Sequence, residues 1–169
     1  MLMSNSDGLG QLTDGIIAGD DYRLSENVQG IDQIGYDWVG WKRRSSLNLN
    51  FNFIRIENVT SIRLHTSNLF TRDIYQFNSI LITNCDNLLN QTFQLISNDH
   101  ENTRARFINI SLNSGYGLVT NCLKVTLTFH NRSKFILISE VLFETKPLIT
   151  PDAMQFSPYN GKTTVFFVV

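Results

Sequence analysis

Residues 47–54 read LNLNFNFI, and this stretch decides the fold class. Leu47, Leu49, Phe51 and Phe53 alternate with three asparagines, so the apolar side chains share one face and the amides share the other. Strict alternation with a period of two indicates a β-strand with one buried face and one face in water.

Further stretches predict more strands, and no window of 12 residues carries the apolar stripe of an amphipathic helix. The predicted strands are residues 61–65, 79–83, 105–112, 123–129 and 135–138. The last of these is apolar on both faces, as expected of a central strand. Turn-rich segments separate them, at residues 84–90, 97–103, 113–117 and 130–133. Many short strands at this spacing predict an antiparallel β sandwich or jelly roll.

Composition excludes several classes of function. The chain has 169 residues, of which 42% are hydrophobic, so it is long enough to fold around one core. Its formal net charge of −1 provides no basic field for a nucleic acid or an anionic membrane. The N-terminus has neither the basic region nor the apolar run of a signal peptide.

The end of the chain differs from the rest. All three prolines follow residue 146, which predicts that the folded domain covers residues 1–145 and that residues 146–164 form a linker. Residues 165–169, VFFVV, are all apolar. Two interpretations stay open: a final β-strand, or the truncated start of a transmembrane helix, since no segment reaches the roughly 20 apolar residues that span a bilayer.

The sequence contains no recognisable catalytic motif, so we expect no enzymatic activity. The three histidines, His65, His100 and His130, are dispersed and lack metal-ligand spacing. Cys85 and Cys122 are too few for a zinc site. They are either two buried thiols or a disulfide that closes a loop of about 38 residues, and the sequence does not decide between these.

N-glycosylation sequons begin at four asparagines, namely Asn58, Asn90, Asn109 and Asn131. With 18 Asn and 28 Ser or Thr residues, about three sequons are expected by chance. Four are therefore weak support for secretion. Asn109 lies in a predicted strand, opposite its apolar residues, so a glycan there would project from the wetted face.

Three stretches carry a resemblance to a known family. They are residues 8–15, GLGQLTDG, residues 35–41, GYDWVGW, and residues 135–143, which end in SEVLF. In this order they resemble the membrane-proximal discoidin-like domain of the discoidin domain receptors, which are collagen-activated receptor tyrosine kinases. The resemblance covers residues 8–143, and Thr66 stands where the vertebrate receptors carry a cysteine.

The resemblance implies an all-β, discoidin-like (galactose-binding-like) antiparallel jelly roll from which the family's N-terminal strand is missing. It also implies a structural Ca²⁺ site. The matching positions are Gln11, Asp14, Ile16, Tyr36, Trp38, Ser139 and Glu140. Calcium takes six to eight oxygen ligands, so the two carboxylates would supply charge, Gln11 an amide oxygen, and the others main-chain carbonyls. One family ligand lies upstream of Gly8 and has no convincing replacement here.

The family's disulfide pair falls close to Cys85 and Cys122, so the resemblance favours a bridge between them, in keeping with an oxidising extracellular setting. Trp38 and Trp41, both on the stretch 35–41, would bury their rings and hold the loop's carbonyls toward the ion.

The function that follows from the resemblance is a non-catalytic extracellular module on the outer face of the plasma membrane. It would lie between a collagen-binding domain, which is absent from this chain, and a missing transmembrane helix, in a receptor that self-associates. An alternative is an adhesion module that binds carbohydrate or lipid head groups through exposed rings of Trp38 and Trp41.

Overall fold

A computed structural model describes residues 11–21, 37–42, 45–85, 90–94, 104–112, 117–148 and 165–168. For residue 11 and for residues 90–94 and 165–168 it describes the backbone alone. Within these ranges the protein consists of β-strands and two short 3-10 helices, and no α-helix occurs.

The strands are β1 (Val39–Lys42), β2 (Ser46–Thr66), β3 (Ser79–Asn84), β4 (Asn90–Gln94), β5 (Arg106–Ser111), β6 (Leu118–Thr128), β7 (Phe135–Lys146) and β8 (Val165–Val168). The 3-10 helices are Gln11–Thr13 and Phe70–Arg72. Neighbouring strands follow the order β1-β7-β2-β6-β3-β4, while β5 and β8 each pair with β2. All of these pairings are antiparallel.

β2 is 21 residues long and takes part in both halves of the sandwich. Its first half, from Ser46 to Asn52, pairs with β6. Its second half, from Asn58 to Thr66, pairs with β7, and residues 57–59 still pair with β6. A register shift between Asn52 and Glu57 separates the halves. Such an irregularity bends a strand and increases its twist, which lets one strand cross between two layers.

The predicted strands are present, with different limits. The stretches 47–54 and 61–65 belong to one strand, β2, because the bulge between them continues the strand instead of ending it. The prediction for residues 135–138 is confirmed by burial, since Ile136, Leu137 and Ile138 are all fully buried in β7, which pairs with β1 over residues 135–138 and with β2 from Ile138 onward. The pattern missed β1 and β4, which are only four and five residues long.

The core lies between the layers and receives the apolar face of each strand. Leu49, Phe51, Ile62 and Leu64 of β2 are fully buried, as their alternation predicts. The largest cluster also includes Trp41, Val125 and Ile136, and a smaller cluster contains Ala18, Trp38, Ile74 and Leu137. The all-β expectation from alternation is therefore correct, and the described strands form an antiparallel β architecture.

A disulfide joins Cys85 to Cys122, whose Cα atoms lie 5.6 Å apart. Asn84 faces Leu123 in the β3–β6 ladder, so the next antiparallel step brings the two cysteines opposite each other. A bridge that closes 37 residues of sequence separation restricts the unfolded chain and stabilises the fold by about 4 kcal/mol in the chain-entropy estimate.

The apolar C-terminal stretch contributes β8, which pairs with residues 50–53 of β2. A strand was one of the two interpretations of this stretch, and the start of a transmembrane helix remains a prediction. Among the residues that the structure describes, no helix is long and apolar enough to cross a membrane.

Gly117, just before β6, should not tolerate a side chain. Its φ is +76°, and a Cβ there would overlap the buried Oδ1 of Asn58 and lie 3.0 Å from the Val59 carbonyl oxygen. We expect Gly117→Ala to lower the free energy of unfolding by about 2–4 kcal/mol, measured by urea denaturation. Gly19→Ala, where a Cβ meets nothing within 4 Å, is the matched control and should change stability by less than about 0.5 kcal/mol.

Adding Asn58→Ala removes the overlapping oxygen but not the backbone strain at Gly117. Part of the loss should therefore be recovered in the double variant. Equal stability losses for the alanines at positions 117 and 19 would contradict the assigned contact.

Candidate functional site

The candidate site is built on an irregularity in β7. His65 of β2 pairs with Glu140, whereas the next residue, Thr66, pairs with Ile138, so Ser139 has no opposite partner on β2. An extra residue of this kind re-aims the side chains around it and is common beside functional sites. Here it interrupts the alternation of β7, and both Ser139 and Glu140 are buried.

The N-terminal segment lies against β7 at this irregularity. β1 covers β7 only as far as the pair Val39 and Ile138, and residues 11–18 contact the strand beyond that point. The Gly15 N–H donates to Glu140 Oε2 at 3.0 Å, and the Ala18 N–H donates to Ser139 Oγ at 3.3 Å. These bonds connect positions more than 120 residues apart in the sequence.

A tight turn shapes this segment. Asp14 Oδ1 accepts a hydrogen bond from the Ile16 N–H at 2.8 Å, two residues ahead, which is the local bond that Asp makes in turns. Gly15 has a φ of +86°, a conformation that glycine adopts without steric cost. Leu12, in the core, fixes the start of the turn, so the turn presents its carboxylate and its N–H toward β7.

Asp14 and Glu140 come together in this way. Glu140 is 1% exposed, and Asp14 lies close enough to act electrostatically on its carboxyl group. Burial raises the pKa of Glu140 from its ordinary value of 4.5 to about 7. The N–H of Gly15 opposes that shift, and the neighbouring Asp14 carboxylate adds to it. A buried carboxyl group with an exposed carboxylate close to it favours either a retained proton or a cation.

Trp38 and His65 form the wall next to Ser139. The Trp38 ring is 3% exposed and stacks on the His65 ring, with the centroids 5.5 Å apart. His65 Nδ1 lies 2.7 Å from Ser139 Oγ, and the Phe107 ring packs on His65 at a centroid distance of 4.9 Å. Burial lowers the pKa of His65, and the Asp20 carboxylate partly opposes this shift.

The predicted ligands fall into three groups. Asp14, Ser139 and Glu140 are together at the irregularity of β7, and the segment that carries Ile16 is held there through the Gly15 and Ala18 N–H groups. The Ile16 side chain is 52% exposed, and Trp38 is buried beside His65. Tyr36 and the side chain of Gln11 lie outside the described residues.

The donor set fits calcium better than a softer metal. Among the described residues no group of three or more His, Cys, Asp or Glu side chains could hold a metal ion. Two carboxylates alone would leave most of the six to eight oxygen positions to main-chain carbonyls and water, which calcium accepts readily. The hydroxyl of Ser139 is engaged by His65 and Ala18, so any calcium contact of this residue would come from its main-chain carbonyl, which stays a prediction.

The sequons differ in their surroundings. Asn109 and Asn131 are exposed, and Asn109 Oδ1 accepts a hydrogen bond from Arg63 Nε at 3.1 Å. Asn58 is half-buried, with its side-chain oxygen against Gly117. The side chain of Asn90 lies outside the described residues.

Sequence reasoning gave no role to His65 or to Asp20. His65 lies on the face of β2 opposite Ile62 and Leu64, which the alternation assigns to water, but Trp38 and Phe107 cover it. Asp20 Oδ1 accepts a hydrogen bond from the Ala105 N–H at 3.0 Å and so attaches the N-terminal segment to the start of β5. No local sequence pattern predicts the contacts of His65 or of Asp20, because their partners are distant in the sequence.

The fold and the site together identify the class of protein: a discoidin-like β sandwich whose N-terminal turn is held against β7. The profile of the discoidin domain-containing receptor 1/2 DS-like domain matches residues 3–145, and the chain belongs to this family. It is 30% identical over 177 aligned residues to "Discoidin domain-containing receptor tyrosine kinase B" of Caenorhabditis elegans. That match covers 94% of this chain and 21% of the relative.

A second relative, "Epithelial discoidin domain-containing receptor 1" of Homo sapiens, is 35% identical over 68 residues, which are 38% of this chain and 7% of that protein. The corresponding protein of Rattus norvegicus gives the same values. The matches thus span about a fifth of the first receptor and 7% of the mammalian ones, and the chain matches the DS-like domain and not the kinase domain.

The raised pKa of Glu140 predicts a pH dependence of stability in the metal-free protein. The folded state holds this proton up to about pH 7, whereas the unfolded chain releases it near pH 4.5. The group's contribution is therefore fully present below pH 4.5 and is lost as pH rises through 7, so the metal-free domain should become less stable from pH 5 to pH 8.

Chemical denaturation in a chelator, for the wild type and Glu140→Gln, isolates this effect as the difference between the two proteins. The wild type should lose stability relative to Glu140→Gln across that interval. A difference that stays constant between pH 5 and pH 8 would exclude a shifted Glu140.

Proposed function

We propose that this domain is a calcium-stapled, non-catalytic extracellular module of a collagen-activated receptor tyrosine kinase. It would transmit the position of a preceding collagen-binding domain to the membrane segment that follows. The main support for a calcium ion linking the N-terminal turn to β7 is one observation: the Gly15 N–H donates to the buried Glu140 carboxyl group, 125 positions further along the chain.

Calcium would complete that contact. A buried carboxylate beside a second carboxylate destabilises the fold when both are charged, and a divalent cation removes this cost by balancing the charges. Asp14, Glu140 and carbonyl oxygens of the adjoining turn would hold the ion, with Gln11 and Tyr36 as further candidates. The bound ion would then link the N-terminal segment, the Trp38 segment and β7 in one rigid unit.

Membership of the receptor family supports the extracellular setting, and so does the disulfide, because such bonds persist mainly in oxidising compartments. N-glycans would occupy exposed sequons, with Asn109 and Asn131 the best placed of those whose side chains are described. Collagen would be bound by a different domain of the receptor, so no residue of this chain is assigned to collagen. Receptor self-association would bring two of these modules together.

The alternative function, recognition of carbohydrate or lipid head groups by loop tryptophans, receives no support from the geometry. Trp38 is 3% exposed and Trp41 is 1% exposed, so neither ring offers a face to a ligand. Both rings belong to the apolar core clusters instead. Their burial favours a structural role for the GYDWVGW stretch.

Calcium should raise the thermal midpoint of the wild-type domain, because an ion that binds only the folded state stabilises it. At 100 times the dissociation constant the gain is about 2.7 kcal/mol, which corresponds to several degrees for a domain of this size. Differential scanning calorimetry in calcium and in a chelator measures the shift. Magnesium at the same concentration tests ion selectivity.

Glu140→Gln should abolish this shift and, in the chelator at pH 8, should be at least as stable as the wild type, because it removes a buried charge. The matched control is Glu144→Gln, on the same strand but exposed, which should keep the full calcium shift. An equal calcium shift in all three proteins would place the ion elsewhere, and no shift in the wild type would remove calcium from the proposal.

The transmission role predicts a defect in signalling that is separate from collagen binding. In a chimera, this chain would replace the DS-like domain of a discoidin domain receptor, and Asp14→Asn with Glu140→Gln would be added to it. We expect collagen to bind the double variant normally while collagen-induced receptor phosphorylation falls several-fold, because the loosened module no longer couples the two sides. Surface expression of the chimeras must be matched by antibody staining. Undiminished phosphorylation in the double variant would refute the role.

A further inference from the structure

A buried histidine outside the predicted ligand set connects the parts of the site. We propose that His65 is a positioning residue that holds the N-terminal segment and the Trp38 segment in register with β7. This inference rests on the proposed calcium function where it concerns ion affinity, and it stands on the contacts of His65 where it concerns the two segments.

The first contact is polar. His65 Nδ1 and Ser139 Oγ lie 2.7 Å apart, and the same oxygen accepts the Ala18 N–H at 3.3 Å. Ser139 therefore bridges the imidazole to the backbone of the N-terminal segment. Ser139 has no partner across the β2–β7 ladder, and these two bonds connect its hydroxyl to both the N-terminal segment and β2.

The second contact is aromatic. The rings of His65 and Trp38 are nearly parallel, with an interplanar angle of 22°, and Phe107 of β5 packs on the imidazole at 55°. Trp38 immediately precedes β1, and Ala18 belongs to the same small apolar cluster as Trp38. The His65 side chain thus contacts both the Ser139 hydroxyl, which holds the N-terminal segment, and the ring of Trp38, which begins the other segment.

The position of His65 on β2 explains why it can contact both Ser139 and Trp38. It pairs with Glu140 on one side of β2 and with Phe107 on the other. A side chain at this register lies at the irregularity of β7 whatever occupies the position, but only a flat ring with a hydrogen-bonding atom satisfies both Trp38 and Ser139. Residues that orient metal ligands without touching the metal commonly change affinity by roughly 10–100-fold when replaced.

Two substitutions separate the two contacts. His65→Phe keeps a ring for Trp38 and loses the bond to Ser139, whereas His65→Asn places an amide near the Nδ1 position and loses the stacking. His130→Phe is the control, because His130 stacks on Tyr75 at 4.6 Å, in the turn after β6. Urea denaturation establishes that each variant is folded.

The main readouts are hydrogen exchange of the Ala18 amide in the chelator, by NMR, and calcium affinity by isothermal titration. We expect His65→Phe to exchange the Ala18 amide at least tenfold faster and to bind calcium about tenfold more weakly, without the loss of any ligand. His65→Asn should leave Ala18 protected and instead make tryptophan fluorescence more accessible to iodide. The control should match the wild type in every measurement.

Wild-type exchange at Ala18 together with wild-type calcium affinity in His65→Phe would overturn the proposal. If His65→Phe does not fold, Ser139→Ala breaks the same bridge and should accelerate Ala18 exchange equally; protection of Ala18 in that variant would likewise overturn it. A wild-type domain that binds no calcium defeats the proposed function only, and the exchange measurement in the chelator then decides the role of His65 by itself.

Discussion

The carboxyl group of Glu140 is the constraint on which the arrangement of this domain depends. A carboxylate taken out of water must find compensating donors or a cation, or it must keep its proton. Here the strand that carries it is irregular at Ser139, so Glu140 is buried where β1 has ended and the N-terminal turn has taken its place. The Gly15 N–H reaches the carboxyl group, and Asp14 lies beside it. The need to satisfy this buried acid therefore adds to the contacts of Leu12 and Ala18 that place the N-terminal segment.

β2 connects this site to the rest of the sandwich. Asn52 of β2 pairs with Cys122, the residue held by the disulfide, and His65 of β2 pairs with Glu140. The two positions are separated by about 40 Å of extended strand at most. Between them β2 shifts its register against β6, and β7 and β5 then join as partners of its second half. The disulfide thus secures β6 beside the first half of β2, and the contacts of Glu140 and His65 lie at the C-terminal end of β2.

The sequence was sufficient for the fold class because alternation is a local property. The alternation within residues 47–54 is enough by itself to predict which of their side chains are buried, and those side chains lie in the core. Asp14 and Glu140 could be brought into one site only through family resemblance, since the contact spans 125 positions and no periodicity links them. His65 could not be found in either way, because alternation assigned it to water. Its burial depends on Trp38 and Phe107, which reach it from separate segments.

The connection between the Asp14–Gly15 turn and Glu140 has a mechanical consequence that depends on its position in the domain. In the proposed receptor a preceding domain would join at the N-terminal segment. The last described strand is β8, which pairs with β2 as β7 does, and the chain would continue toward the membrane after it. A domain passes on a displacement only if its entry and exit segments move together, and long-range coupling requires an element with defined arrangements. Hydrogen bonds from Gly15 and Ala18 provide part of that connection without an ion. An ion held by Asp14 and Glu140 would convert a contact that weakens with rising pH into one that strengthens, because deprotonated carboxylates are the form that binds calcium. The buried acid that destabilises the metal-free domain is thus the same group that would make the metal-bound domain rigid.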